Sequence, residues 1–124
     1  MKLLNSLYSV INESVTTDEH SFIIKLDASH FIYAAHFPGE PITPGVCIMQ
    51  IAQELIELHM GCSINIKTVK NIKFLRVIIP TQTPIVNYTL SKIVSEDGCV
   101  KAQVVVSTEE GVFAKLSLVC QICA

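Results

Sequence analysis

The sequence predicts an α+β fold in which a curved antiparallel sheet wraps around one long central helix. Three observations predict it. Val46 to Met60 forms a stretch that is apolar around most of a helical circumference. Four segments rich in Val, Ile, Thr, Phe and Tyr follow it, divided by turn-forming residues. The expected N-terminal strands add to that sheet, and a composition half hydrophobic and only 16% charged lies well outside that of disordered chains. At 124 residues, the span 1–124 suits a single domain.

Taken in order, Leu4 to Val15 is weakly patterned, and Thr16-Thr17-Asp18-Glu19 suits a turn. Ser21 to Ala28 then alternates, with Phe22, Ile24, Leu26 and Ala28 on one side. An N-terminal hairpin is expected, with a short helix over the first ten residues as the rival. Ser29 to Thr43 reads as a loop of fixed shape. The helix has a stop and a start: Thr43 can cap it, Pro44 suits the first helical position, and Gly61 suits the residue past its end. Its polar residues Gln50, Gln53, Glu54 and Glu57 fall within a stripe of about 100°. Strands are expected over 65–79, 85–94, 100–108 and 112–123, as a four-stranded antiparallel meander. Pro80-Thr81-Gln82, Glu96-Asp97-Gly98 and Glu109-Glu110-Gly111 separate them, the last two with hairpin chemistry.

Charge and composition narrow the function. A formal net charge of -2 offers no footprint for nucleic acid. No apolar run approaches the roughly 18 residues that a membrane span needs, and the N-terminus lacks a signal-peptide pattern, which makes the cytoplasm the default. The apolar balance favours a homodimer or higher homo-oligomer over a monomer. Cysteines at 47, 62, 99, 120 and 123 are odd in number and irregular in spacing, so no disulfide framework is implied. Cys120 and Cys123 lack the partners of a zinc or redox motif and read as small buried apolar residues.

Chemistry is concentrated between His36 and Glu57, HFPGEPITPGVCIMQIAQELIE. Three of the five prolines and two of the five glycines lie between His36 and Val46, so this backbone is held in one shape. Imidazole titrates near neutral pH, which makes His36 the candidate base; His20, His30 and His59 read as surface or structural. Pro44 has no N–H, so Gly45 supplies one of the first free donors at the positive end of the helix. Glycine there lets a carbonyl approach the backbone. A base beside an oxyanion donor suits proton abstraction α to a carbonyl.

The stretch HFPGEPITPGV resembles the signature of the 3-hydroxyacyl-acyl-carrier-protein dehydratases of fatty-acid synthesis, H-F-P-G-x-P-x-x-P-G-V, at eight specified positions in eleven. VKNIKFLRVIIP is similar to the strand that follows the helix in that family. The resemblance implies the hot-dog fold, dimers with sites at the subunit interface, an acyl-carrier-protein thioester as substrate, and no metal or other cofactor. It further implies His36 as the base, Gly45 as oxyanion donor with Val46 beside it, and position 50 as the group that handles the 3-hydroxyl. That family has Glu or Asp there, whereas this chain has Gln50. An amide can orient a hydroxyl but cannot deliver a proton to it, and a positioned acid is typically worth about 10²–10⁴-fold. Glu54 lies one turn, about 6 Å, further on, a poor replacement. Two alternatives accompany the dehydratase reading: a hot-dog thioesterase, and a non-catalytic subunit of a heteromeric dehydratase, against which a retained His36 argues. Lys67, Lys70, Lys73 and Arg76 could attract an acidic carrier, although strict alternation on a strand would divide them between faces.

Overall fold

The structure is a computed structural model that describes residues 2–123. Strands β1 (Tyr8–Val15) and β2 (Glu19–Leu26) form the expected N-terminal hairpin. In β2 the alternation is clear, with His20, Phe22, Ile24 and Leu26 all buried. A short helix α1 (Phe31–Ala35) then interrupts the stretch read from sequence as loop. The Nδ1 of His30 caps it, accepting from the Ile32 N–H at 3.1 Å, and the other ring nitrogen meets Ser6 Oγ at 2.8 Å. His30 is thus structural.

Helix α2 (Gly45–Met60) follows, then β3 (Ile64–Phe74), β4 (Ile85–Glu96), β5 (Cys99–Thr108) and β6 (Gly111–Ile122). Gly61 ends α2 in the left-handed conformation that glycine adopts without steric cost, at φ 71°, and its N–H reaches the Glu57 carbonyl. The cap at the other end differs from expectation. Pro44 is the N-cap, while the Thr43 hydroxyl pairs with the Tyr33 hydroxyl at 2.9 Å and ties α1 to the helix start. Both partners are buried, so this bond outcompetes a solvent-side cap.

The pairings among the six strands are antiparallel, in the order β1-β2-β4-β5-β6-β3. The meander therefore runs through β4, β5 and β6 only. Strand β3 crosses to the far edge and pairs with β6, the last strand of the chain, rather than with β4. Asp97 and Gly98, at φ 51° and 75°, make the β4–β5 turn, as an Asp-Gly pair in a two-residue hairpin should.

One apolar core joins the inner face of the sheet to α2. Ile48, Ile51, Ala52, Leu55 and Ile56 of the helix share it with Val86, Tyr88, Leu90, Val104, Leu116 and Leu118. Tyr88 reaches from β4 to donate its hydroxyl hydrogen to the Ile48 carbonyl at 3.2 Å. Cys120 belongs to this core, and burial pushes its thiol up to about 11, outside the reactive range.

Candidate active site

His36 terminates α1, and its ring is exposed beside Phe37, edge to face at a centroid distance of 5.8 Å. Past it the chain makes a tight turn, with Phe37 and Glu40 exchanging backbone hydrogen bonds at 3.2 and 3.0 Å. The Ile42 N–H then returns to the His36 carbonyl at 3.0 Å, and the Thr43 N–H is held by the Ile78 carbonyl at 2.8 Å. The Pro-Gly stretch thus folds back on the backbone of His36 immediately before α2 begins. That brings the backbone of His36 beside the segment that leads into α2.

At the helix start the Pro44 carbonyl accepts from both Cys47 and Ile48, at 2.9 and 3.1 Å. The N–H groups of Gly45 and Val46 have no acceptor among the described residues, and the first turn carries no acidic side chain. Two donors at the positive end of a helix dipole are therefore available to an oxyanion. Val46 is 69% exposed and stands at the mouth of this position. Phe74, at the end of β3, lies over Gly45 so closely that an added Cβ would come within 2.9 Å of its Cζ.

Gln50 is half-buried one turn further along α2. It lines a cleft of about 260 Å³ on the side of the helix facing the start of β3, with Gln53, Glu54, Glu57 and Asn65 among its other walls. His36 is not one of them. Within one chain, then, His36 and the helix start adjoin through the loop, and Gln50 opens into a separate cleft.

The polar stripe of α2 has a use that sequence reasoning missed. Gln53 Nε2 donates to the Ile64 carbonyl at 2.9 Å, and the Ile64 N–H donates to Glu57 at 2.9 Å, so these side chains fasten β3 to the helix. Glu54 is buried and accepts from the Leu3 and Leu4 N–H groups, from the Tyr8 hydroxyl and from Gln50 Nε2. Burial and the adjacent Glu54 carboxylate push the Tyr8 phenol far above its ordinary range, so it stays a donor. Glu54 is thereby occupied as an acceptor and is no stand-in for a missing acid. The available signal was Glu54 beside Ile51 and Leu55, at the apolar margin of the polar stripe.

All four basic side chains of the β3 region are exposed. Register slips between Ile66 and Thr68 and between Val69 and Asn71 leave Lys67 and Lys70 without strand partners. The alternating-face expectation does not survive these two irregularities, because each resets the pleat.

Residues 12–114 match the family model described as ApeI-like, ApeI dehydratase. The 3-hydroxyacyl-[acyl-carrier-protein] dehydratase FabZ of Latilactobacillus sakei is 30% identical over 71% of this chain and 68% of its own length. FabZ of Clostridium acetobutylicum is 27% identical over 69% and 66%. Among solved structures, a chain of the dehydratase heterocomplex ApeI:P from Xenorhabdus doucetiae superposes with a TM-score of 0.64 at 14% identity, covering 93% of this chain and 96% of that one. The putative thioesterase yhdA from Lactococcus lactis does so with a TM-score of 0.70 at 14% identity, over 98% and 97%. These structural likenesses establish the hot-dog fold. A motif from His36 to Val46, a sheet around one helix and a family match over most of the chain lead to one conclusion: the chain belongs to the ApeI-like dehydratase family, as a divergent relative of FabZ.

Proposed function

We propose that the protein removes water from a 3-hydroxyacyl thioester to give a trans-2-enoyl thioester, in fatty-acid or related acyl (polyene) synthesis. One observation carries the proposal. The loop from His36 folds back to a helix start whose first two N–H groups, at Gly45 and Val46, have no acceptor among the described residues. The thioester carbonyl would sit against those donors, and the negative charge that develops there would be stabilised. His36 takes the proton from the α-carbon. The C–H electrons become the double bond as the bond to the 3-hydroxyl breaks, and the proton held by His36 completes the departing water. Gln50 orients the hydroxyl and supplies no proton. The substrate carrier would be an acyl carrier protein, an acidic partner for which the exposed Lys67, Lys70, Lys73 and Arg76 are suited.

A second copy of the chain completes the site in this reading. His36 and Gln50 face different spaces in one chain, and the edge at β3 exposes Val69, Phe74, Leu75 and Val77, each at least 40% accessible. Two such edges laid together would cover this apolar strip and bring one copy's cleft toward the other's His36.

Thioester hydrolysis is the competing reaction, favoured by the amide at position 50, because hydrolysis needs no acid at the hydroxyl. Incubation with 3-hydroxyacyl and 2-enoyl carrier-protein thioesters, followed by mass, separates the two. Interconversion lost in His36→Ala is expected; release of free acid would replace dehydration by hydrolysis. No turnover by the isolated chain would point to a heteromeric assembly.

A further inference from the structure

We propose that Glu54 is a positioning residue for Gln50, holding its amide in one orientation and coupling it to the N-terminal segment. The proposal rests on the reading of Gln50 as the group that orients the substrate hydroxyl. Glu54 is 5% exposed, and each of its oxygens accepts twice. Oε1 takes the Leu4 N–H at 2.8 Å and the Tyr8 hydroxyl at 2.9 Å. Oε2 takes the Leu3 N–H at 2.8 Å and Gln50 Nε2 at 3.0 Å. Only an ionised carboxylate presents two acceptor oxygens with capacity for four donors. A glutamine at this position would turn its own NH₂ toward one donor pair or the other, whichever way it was flipped. Position 54 therefore requires a carboxylate for hydrogen bonding alone, with no proton transfer involved.

The consequence for Gln50 follows from chemistry. A glutamine side chain has three rotatable bonds, and its two amide ends differ only in donor or accepting character. An acceptor-only partner one helical turn away selects the rotamer and also assigns the nitrogen end. The same contact explains why a carboxylate is disfavoured at position 50: it would stand where an amide nitrogen now lies 3.0 Å from a carboxylate oxygen. Amide at 50 and carboxylate at 54 form a matched pair, and the Leu3 and Leu4 N–H groups, one on each oxygen, keep the second member fixed.

The test uses the purified full chain with labelled glutamine nitrogen, comparing wild type, Glu54→Gln and Tyr8→Phe. Tyr8→Phe removes one donor from Glu54 without touching Gln50, so it controls for loss of structure. In wild type the Gln50 side-chain NH₂ should exchange more slowly than that of the exposed Gln103. In Glu54→Gln that protection should vanish, and in Tyr8→Phe it should persist. With the 3-hydroxyacyl thioester, Glu54→Gln should lower kcat by about ten- to a hundredfold with KM within about threefold, the mark of a lost transition-state interaction. Tyr8→Phe should keep kcat. Unchanged Gln50 exchange in Glu54→Gln, or equal kcat losses in the two variants after correction for folded fraction, would overturn the proposal. If wild type fails to turn over the thioester, the reaction assigned above fails, and the exchange comparison still decides the positioning. If Glu54→Gln does not fold, wild-type Gln50 exchanging as fast as Gln103 is the overturning result.

Discussion

His36 is exposed, and apart from an edge-to-face contact with the equally exposed Phe37 it is held through its backbone, so its removal is expected to leave the fold alone. His36→Ala should change unfolding free energy by less than about 0.5 kcal/mol, as ordinary surface substitutions do. It should lower turnover by about 10²–10⁴-fold, the usual worth of a positioned base. Gly45→Ala makes a second separation of stability from activity. Its Cβ would meet the far end of the Phe74 ring, a side chain about half exposed in the single chain. At the first helical position alanine gains less than its interior advantage of about 1 kcal/mol, so thermal stability should hold while turnover drops about tenfold or more, since the methyl obstructs approach to the backbone donors. A melting temperature that falls steeply would show instead that Phe74 is locked over Gly45. The remaining histidines act elsewhere. His20 Nδ1 and His59 Nδ1 are 2.9 Å apart, between β2 and the last turn of α2, and Glu13 of β1 lies 3.8 Å from His20 Nε2. Burial, and then the charge of His20, hold His59 below the ordinary value of 6.5. The unfolded chain therefore takes up that proton more readily than the folded one. Stability from the neutral His59 is present above the ordinary histidine range and is lost as pH falls through it. Denaturant midpoints measured across that range should fall on acidification, and His59→Gln should flatten the dependence.

Among the elements, α2 was the most legible in the sequence, and its termination at Gly61 follows from local chemistry alone. The N-terminal hairpin and the Asp97-Gly98 turn were legible for the same reason, because partners adjacent in sequence are joined by short turns with their own residue preferences. What was not legible is what depends on distant partners. Nothing local in Ile64–Phe74 distinguishes pairing with β4 from pairing with β6, and the two register slips beside Lys67 and Lys70 break the period that would betray a face. Thr43 has the chemistry of a cap, yet Tyr33, ten residues earlier, takes its hydroxyl. The site was legible as a motif but not as an arrangement: His36 and Gly45 stand in one stretch, whereas the contacts of Glu54 come from about fifty residues away. In the core between these elements, Leu90→Ala should cost about 2–5 kcal/mol, since Leu90 is fully buried against the helix. A loss under about 1 kcal/mol by chemical denaturation would mean that the β4 face of the core collapses to fill the gap.

For the whole molecule, the proposed pairing of β3 edges would link assembly to activity. Val77 is 60% exposed in the single chain, and under the proposed pairing of edges it would be covered. Val77→Lys should then halve the sedimenting mass and reduce activity in step, while far-ultraviolet circular dichroism stays unchanged. Activity retained by a monomer would remove the second copy from the site. The reaction itself can be read in one experiment, run in the reverse direction in heavy-oxygen water with a trans-2-enoyl carrier-protein thioester. Dehydration run backwards adds water across the double bond, so the account predicts the heavy atom in a 3-hydroxyl group with the thioester intact, and none of it in His36→Ala. Heavy oxygen appearing instead in the carboxylate of a released free acid would contradict the dehydratase reading and establish hydrolysis.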